Sequence, residues 1–139
     1  MGDHGHHDTI SPAVKVLTVS DGVFHGVRED RSGAALVACC EAEGWTVVET
    51  AVTADGIDAV AEALHALVDG FHGLALTTGG TGFGPRDATP EGTLAVVDRL
   101  APGLAEAMRL VNPLGRLSRG AVSYTHLRAH ETPAQPGCR

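Results

Sequence analysis

Apolar and polar positions along this chain fall into blocks that predict strand, helix, strand, helix, strand and helix in succession. Residues 14–20 (VKVLTVS) form a mostly apolar run of strand length. A polar stretch covers residues 21–31. Residues 32–43 follow, rich in Ala, Leu, Val and Cys, with a length that favours helix. Gly44 stands where a helix C-cap is expected. Residues 45–52 (WTVVETAV) are β-branched enough for a second strand. Ile57, Val60, Ala61, Leu64, Leu67 and Val68 recur at helical spacing, with Asp58, Glu62 and Asp69 facing out. Residues 74–77 (LALT) predict a strand buried on both faces, in the middle of a parallel sheet. Thr89-Pro90-Glu91 reads as a helix start with Thr89 as N-cap. A further helix starts at Pro102, carries Leu104, Ala107, Met108 and Val111 on one face, and ends at Pro113.

This succession predicts an α/β fold, a three-layer α/β/α sandwich with a mostly parallel sheet. In such sheets ligands bind beyond the carboxyl ends of the strands. The segments leaving the three strands carry Ser20-Asp21, Asp55 and residues 77–87, so these groups are expected to converge on one edge.

Composition narrows the possibilities. At 139 residues the chain suits one domain, and with only 4% aromatics its core must be built from Val, Leu and Ala. A net charge of −7 without a basic cluster disfavours nucleic acid as a partner. No apolar run is long enough to span a bilayer, and the first ten residues show no secretory signal, so a cytoplasmic location is expected. Residues 1–12 read as a disordered His-rich tail, and His4, His6 and His7 are expected to be solvated rather than metal-bound. Cys39, Cys40 and Cys138 lack metal spacing and are expected to be reduced, buried thiols.

The chemistry is concentrated in Thr77-Thr78-Gly79-Gly80-Thr81-Gly82. Its glycines permit positive φ and let backbone N–H groups approach an anion closely. Arg86 suits bidentate contact with phosphate, and Asp87 suits a metal or an orienting role. A Gly-Gly pair alone is more often a tight turn with a solvated or capping acid beside it. Four glycines, three threonines and an Arg-Asp pair behind a buried strand favour a ligand site. No GK[ST] follows, and the glycines do not fit GxGxxG, so neither a Walker loop nor a dinucleotide fold is indicated. A Ser-His-Asp hydrolase is disfavoured too, since Ser20 sits in no GxSxG elbow.

These residues resemble the molybdopterin adenylyltransferases of the MogA/MoaB type. The matching stretches are Val19-Ser20-Asp21 with Gly26 and Asp30, residues 77–82, Arg86-Asp87, Thr89-Pro90-Glu91, Pro102-Gly103 and Leu117-Ser118-Arg119-Gly120. The resemblance implies a trimeric α/β/α domain, spanning residues 13–120, that joins molybdopterin to the AMP of Mg·ATP and releases pyrophosphate. It implies hand-over to a molybdenum-insertion protein, and Mg²⁺, ATP and molybdopterin as the bound species. It places Asp55 and Asp87 as catalytic and metal-binding acids. Substrate contacts are implied at Ser20, Asp21, Thr78, Gly79, Gly80, Thr81, Gly82, Arg86, Ser118 and Arg119.

After Gly120 the family pattern continues with a strand, a Leu-Pro-Gly loop and a helix, whereas this chain reads AVSYTHLRAHETPAQPGCR. Residues 121–139 show no helical or strand period and are expected to be a non-native or disordered tail, leaving the fold C-terminally truncated. Two further readings remain: a molybdopterin-binding protein without turnover, and an unrelated phosphate-binding α/β domain of flavodoxin-like type.

Overall fold

The computed structural model describes residues 11–80, 84–111 and 126–127. Three parallel strands, β1 (Ala13–Val19), β2 (Thr46–Thr53) and β3 (Leu74–Thr78), form a sheet in the order β2-β1-β3. Between β1 and β2 lie α1 (Asp21–Phe24) and α2 (Arg31–Ala42), and α3 (Ile57–Val68) joins β2 to β3. Helices α4 (Thr89–Leu94) and α5 (Pro102–Val111) follow, separated by the two-residue strand β4 (Arg99–Leu100), which pairs antiparallel with β5 (His126–Leu127). The α/β class holds, with helices on both faces of a parallel sheet.

Alternation along β1 divides the core. Leu17 and Val19 point toward α3 and pack with Val60, Leu64, Leu67 and Val96. Val14 and Val16 point the other way, toward α2, and pack with Cys40, Leu36, Val37 and Trp45. All four β1 side chains are at most 1% exposed, so β1 is the buried axis of the domain. Each fully buried Val or Leu contributes about 1.5–3 kcal/mol, which makes this short strand the main apolar investment of the sheet.

Three sequence expectations need correction among the described residues. The LALT strand is not central: β3 lies at the edge of the described sheet, with Leu74 40% exposed, and β1 takes the middle. The predicted face of α5 stays exposed among the described residues, where Leu104, Met108 and Val111 face solvent and Ala105 is the buried position. Cys39 is exposed on α2 and only its neighbour Cys40 is buried, since adjacent helical residues point about a hundred degrees apart. Burial pushes the Cys40 thiol pKa up. Beyond Gly120 the described residues are those of the two-residue strand β5. The tail 1–10, with His4, His6 and His7, lies outside the described residues, as do Pro113 and Cys138. Among the described residues no helix is long and apolar enough to cross a membrane.

Candidate functional site

The carboxyl ends of β1, β2 and β3 bring Ser20-Asp21, Asp55 and Gly79-Gly80 to one edge of the sheet. A cavity of about 410 Å³ opens there, within the range of small-molecule sites. One wall carries Ser20, Asp55, Gly79, Gly80 and Asp87. The facing wall runs from the segment between α1 and α2 into the first turn of α2, with Arg28, Glu29, Arg31 and Ser32.

Each piece has a local cause. Ser20 ends β1 and caps α1, its Oγ accepting the Val23 N–H at 3.3 Å. Asp30 caps α2: its Oδ1 accepts the Gly33 N–H and its Oδ2 the Thr18 hydroxyl, both at 2.9 Å. These bonds anchor the facing wall to β1. Gly79 and Gly80 leave β3 with φ of +90° and +56°, where side chains are disfavoured. Thr89 staples that turn. Its hydroxyl donates to the Gly79 carbonyl at 3.2 Å and its N–H to the Gly80 carbonyl at 3.3 Å. Thr89 is therefore not the side-chain N-cap of α4; Ala88 holds that position without a side-chain bond. A tertiary acceptor has taken the hydroxyl in place of the helix N–H groups it would cap.

Asp55 is the most unusual group. Its Oδ2 accepts the Asp21 N–H at 3.1 Å, while its N–H donates to Asp21 Oδ1 at 3.1 Å. Its Oδ1 is buried and has no hydrogen-bond partner among the described residues. A Cβ placed on Gly80 would lie 3.3 Å from that oxygen, so the carboxylate faces the glycine turn. An unsatisfied buried acceptor costs about 1–3 kcal/mol, and more when charged, so this atom suits a ligand that brings positive charge or a donor. Asp87 holds its own loop: Oδ2 accepts the Gly84 N–H at 3.1 Å.

Arg86 is committed to protein. Its Nε pairs with Asp21 Oδ2 at 2.7 Å and its Nη2 reaches the Asp55 carbonyl at 3.4 Å. The guanidinium holds the Asp21 carboxyl below the usual carboxylate range, and the bond from the Asp55 N–H adds to the effect. A group whose folded pKa is depressed stabilises the fold above its unfolded pKa, about 3.9, and loses that contribution as pH falls through the folded value. The stability gap between wild type and Asp21→Asn, read from urea midpoints, should thus be widest at neutral pH and close below about pH 4. The gap should be small, because Arg86 is exposed and Asp21 half-buried, and pairs near the surface are screened.

The structure brings together Ser20, Asp21, Asp55, Gly79, Gly80, Arg86 and Asp87. Thr78 ends β3 next to them without lining the cavity. Thr81, Gly82, Ser118 and Arg119 lie outside the described residues. Sequence reasoning missed Arg28 and Arg31. They follow the first strand, and the strand-end rule applied to VREDRS would have flagged two cations at the ligand edge. Arg31 approaches Glu29 at 3.9 Å with both side chains exposed, so that pair contributes little stability. Among the described residues no cluster of three His, Cys, Asp or Glu side chains is arranged to hold a metal ion.

Comparison with known proteins adds a family. The profile described as "Probable molybdopterin binding domain" matches residues 15–130, running into the stretch beyond Gly120. The molybdopterin adenylyltransferase of Haemophilus influenzae is 40% identical over 114 residues, covering 76% of this chain and 57% of its own length. The enzyme of the same name from Escherichia coli K12 is 37% identical over 119 residues, with 76% and 58% covered. The chain thus spans less than two thirds of these curated relatives. Among solved structures, MogA superposes with a TM-score of 0.72 at 35% identity, over 84% of this chain and 77% of that one. The molybdopterin biosynthesis enzyme MoaB of Thermus thermophilus gives 0.72 at 35% identity, with 84% and 75% covered.

Proposed function

Because the chain belongs to the molybdopterin-binding domain family of molybdenum cofactor biosynthesis, we propose that it adenylylates molybdopterin with Mg·ATP and releases pyrophosphate. The observation that carries this reading is the buried, unpartnered Oδ1 of Asp55, set against a glycine turn in a cavity at the strand ends. Relatives named molybdopterin adenylyltransferase support it.

The nucleophile is the pterin's own phosphate oxygen, which bonds to the α-phosphorus of ATP while the bond to pyrophosphate breaks. No Ser, Cys or Lys nucleophile is required, and catalysis rests on positioning and charge. The Gly79-Gly80 turn and the Ser20 end of β1 bind and orient the phosphates, and Arg28 and Arg31 offer countercharge from the facing wall. Asp55 and Asp87 would hold Mg²⁺. Two carboxylates plus substrate phosphates and water are a sufficient donor set for this ion, which when bound spreads the negative charge of the phosphates. The exposed apolar side chains of α5 support assembly into a homotrimer, and the product is handed to a molybdenum-insertion protein.

The test uses ATP labelled at its α-phosphate, with molybdopterin and Mg²⁺. Label should pass to the pterin with stoichiometric pyrophosphate, and none should pass without Mg²⁺. Pterin binding without pyrophosphate release would convert the reading to a carrier without turnover. No pterin binding would reject it.

A further inference from the structure

We propose that Asp21 and Arg86 are positioning residues that aim Asp55, and that neither touches substrate; the inference rests on the adenylyl-transfer reading above. Asp21 and Asp55 exchange two hydrogen bonds, each carboxylate taking the other's backbone N–H at 3.1 Å. This closed ring ties the end of β1 to the end of β2. The second Asp21 oxygen takes Arg86 Nε at 2.7 Å, and Arg86 Nη2 reaches the Asp55 carbonyl at 3.4 Å. Three residues from the three segments that leave the sheet thus hold one another.

The distribution of engaged atoms separates their roles. Both Asp21 oxygens accept from protein donors, and two nitrogens of the Arg86 fork face protein oxygens. Among the described residues Asp55 alone keeps a buried carboxylate oxygen without a partner. Location agrees with this division: Asp55 lines the cavity, whereas Asp21 and Arg86 stand outside its lining. The Arg-Asp sequence pair invites a phosphate-binding role for Arg86. In the fold its fork serves the carboxylate and carbonyl behind the site. With one oxygen held by the Asp21 N–H, the Asp55 carboxyl group cannot rotate freely, and its other oxygen stays turned to the Gly79-Gly80 turn.

Asp21→Ala, Arg86→Ala, the double variant and Arg86→Lys separate the possibilities in the adenylyl-transfer assay. Each alanine change should lower kcat at least tenfold and leave KM for molybdopterin and for ATP within about twofold, the pattern of an interaction expressed only in the transition state. The double variant should be no worse than the poorer single one, since both break the same clamp. Arg86→Lys, which keeps a donor for Asp21, should recover most of the rate. A tenfold rise in KM, or multiplying losses in the double variant, would overturn the inference and make these residues substrate ligands. Amide exchange of Asp55 is read in parallel and needs no activity: it should accelerate at least tenfold in both alanine variants, and unchanged exchange rejects the clamp. If the wild-type chain transfers no adenylyl group, the functional reading falls, and the exchange result alone decides on the clamp.

Discussion

Asp55→Asn should reduce adenylyl transfer by at least about a hundredfold while leaving molybdopterin affinity within about twofold. Asparagine keeps the size of the side chain and one oxygen to accept the Asp21 N–H. Its amide nitrogen then takes the place of the unpartnered Oδ1 and turns a donor toward Gly80, where a cation or a donor belongs. Charge and metal-binding capacity disappear at the oxygen that faces the turn. The same change keeps the acceptor for the Asp21 N–H, so thermal stability should stay within a few degrees. Activity and stability therefore separate. The check is single-turnover transfer kinetics beside a melting curve. A variant that keeps its rate within tenfold, or melts many degrees lower, would mark Asp55 as a structural acid.

Gly80→Val should abolish pterin binding, lowering affinity at least about a hundredfold, and should destabilise the fold by about 2–5 kcal/mol. Two independent causes act together. The backbone sits at φ +56°, which a β-branched residue resists. A Cβ there would also collide with the Thr89 hydroxyl and crowd Val19 Cγ1 at 3.1 Å and Asp55 Oδ1 at 3.3 Å. Displacing Thr89 releases its bonds to the Gly79 and Gly80 carbonyls, so the turn loses its staple. Gly103→Ala supplies the control, because a Cβ at Gly103 meets nothing within 4 Å among the described residues. Calorimetric titration of molybdopterin into both folded variants decides the matter. Unchanged affinity in Gly80→Val would mean that the glycine turn shapes the backbone without gripping a ligand.

Much of the site was legible from strand ends alone. Asp55 has no local motif, yet the rule that ligands gather beyond the carboxyl ends of parallel strands places it beside Ser20 and the glycine turn. Periodicity located α2, α3 and the three main strands within a residue or two. It failed where the answer depended on pairing between distant segments. LALT looks central because it is apolar, but apolarity does not say which strands pair with it, and the more deeply buried β1 takes the middle. Thr89 fits every local rule for an N-cap and instead bonds to Gly79, an acceptor ten residues earlier in the chain. Arg28 and Arg31 were hidden because a polar stretch reads as solvent-facing until a cavity is seen beside it. The clamp on Asp55 was out of reach for a different reason. Asp21 and Arg86 each match a ligand-binding pattern in sequence, and only three-dimensional proximity reveals that they face each other.

The central place of β1 also governs how the chain can fold. Val14 pairs with Val47 on one side and with Leu74 on the other, so neither edge of the first strand finds its neighbour nearby in sequence. A polypeptide emerging from the ribosome makes its most apolar strand first and must keep it unpaired while α2, β2 and α3 are still being synthesised. Such long-range pairing slows folding and exposes an aggregation-prone segment meanwhile. The glycine turn and Asp87 come later still, so the cavity edge is the last part of this sheet to assemble. Conditions that slow the docking of β3 should therefore cost yield of competent protein well before they unravel the β1–β2 pair.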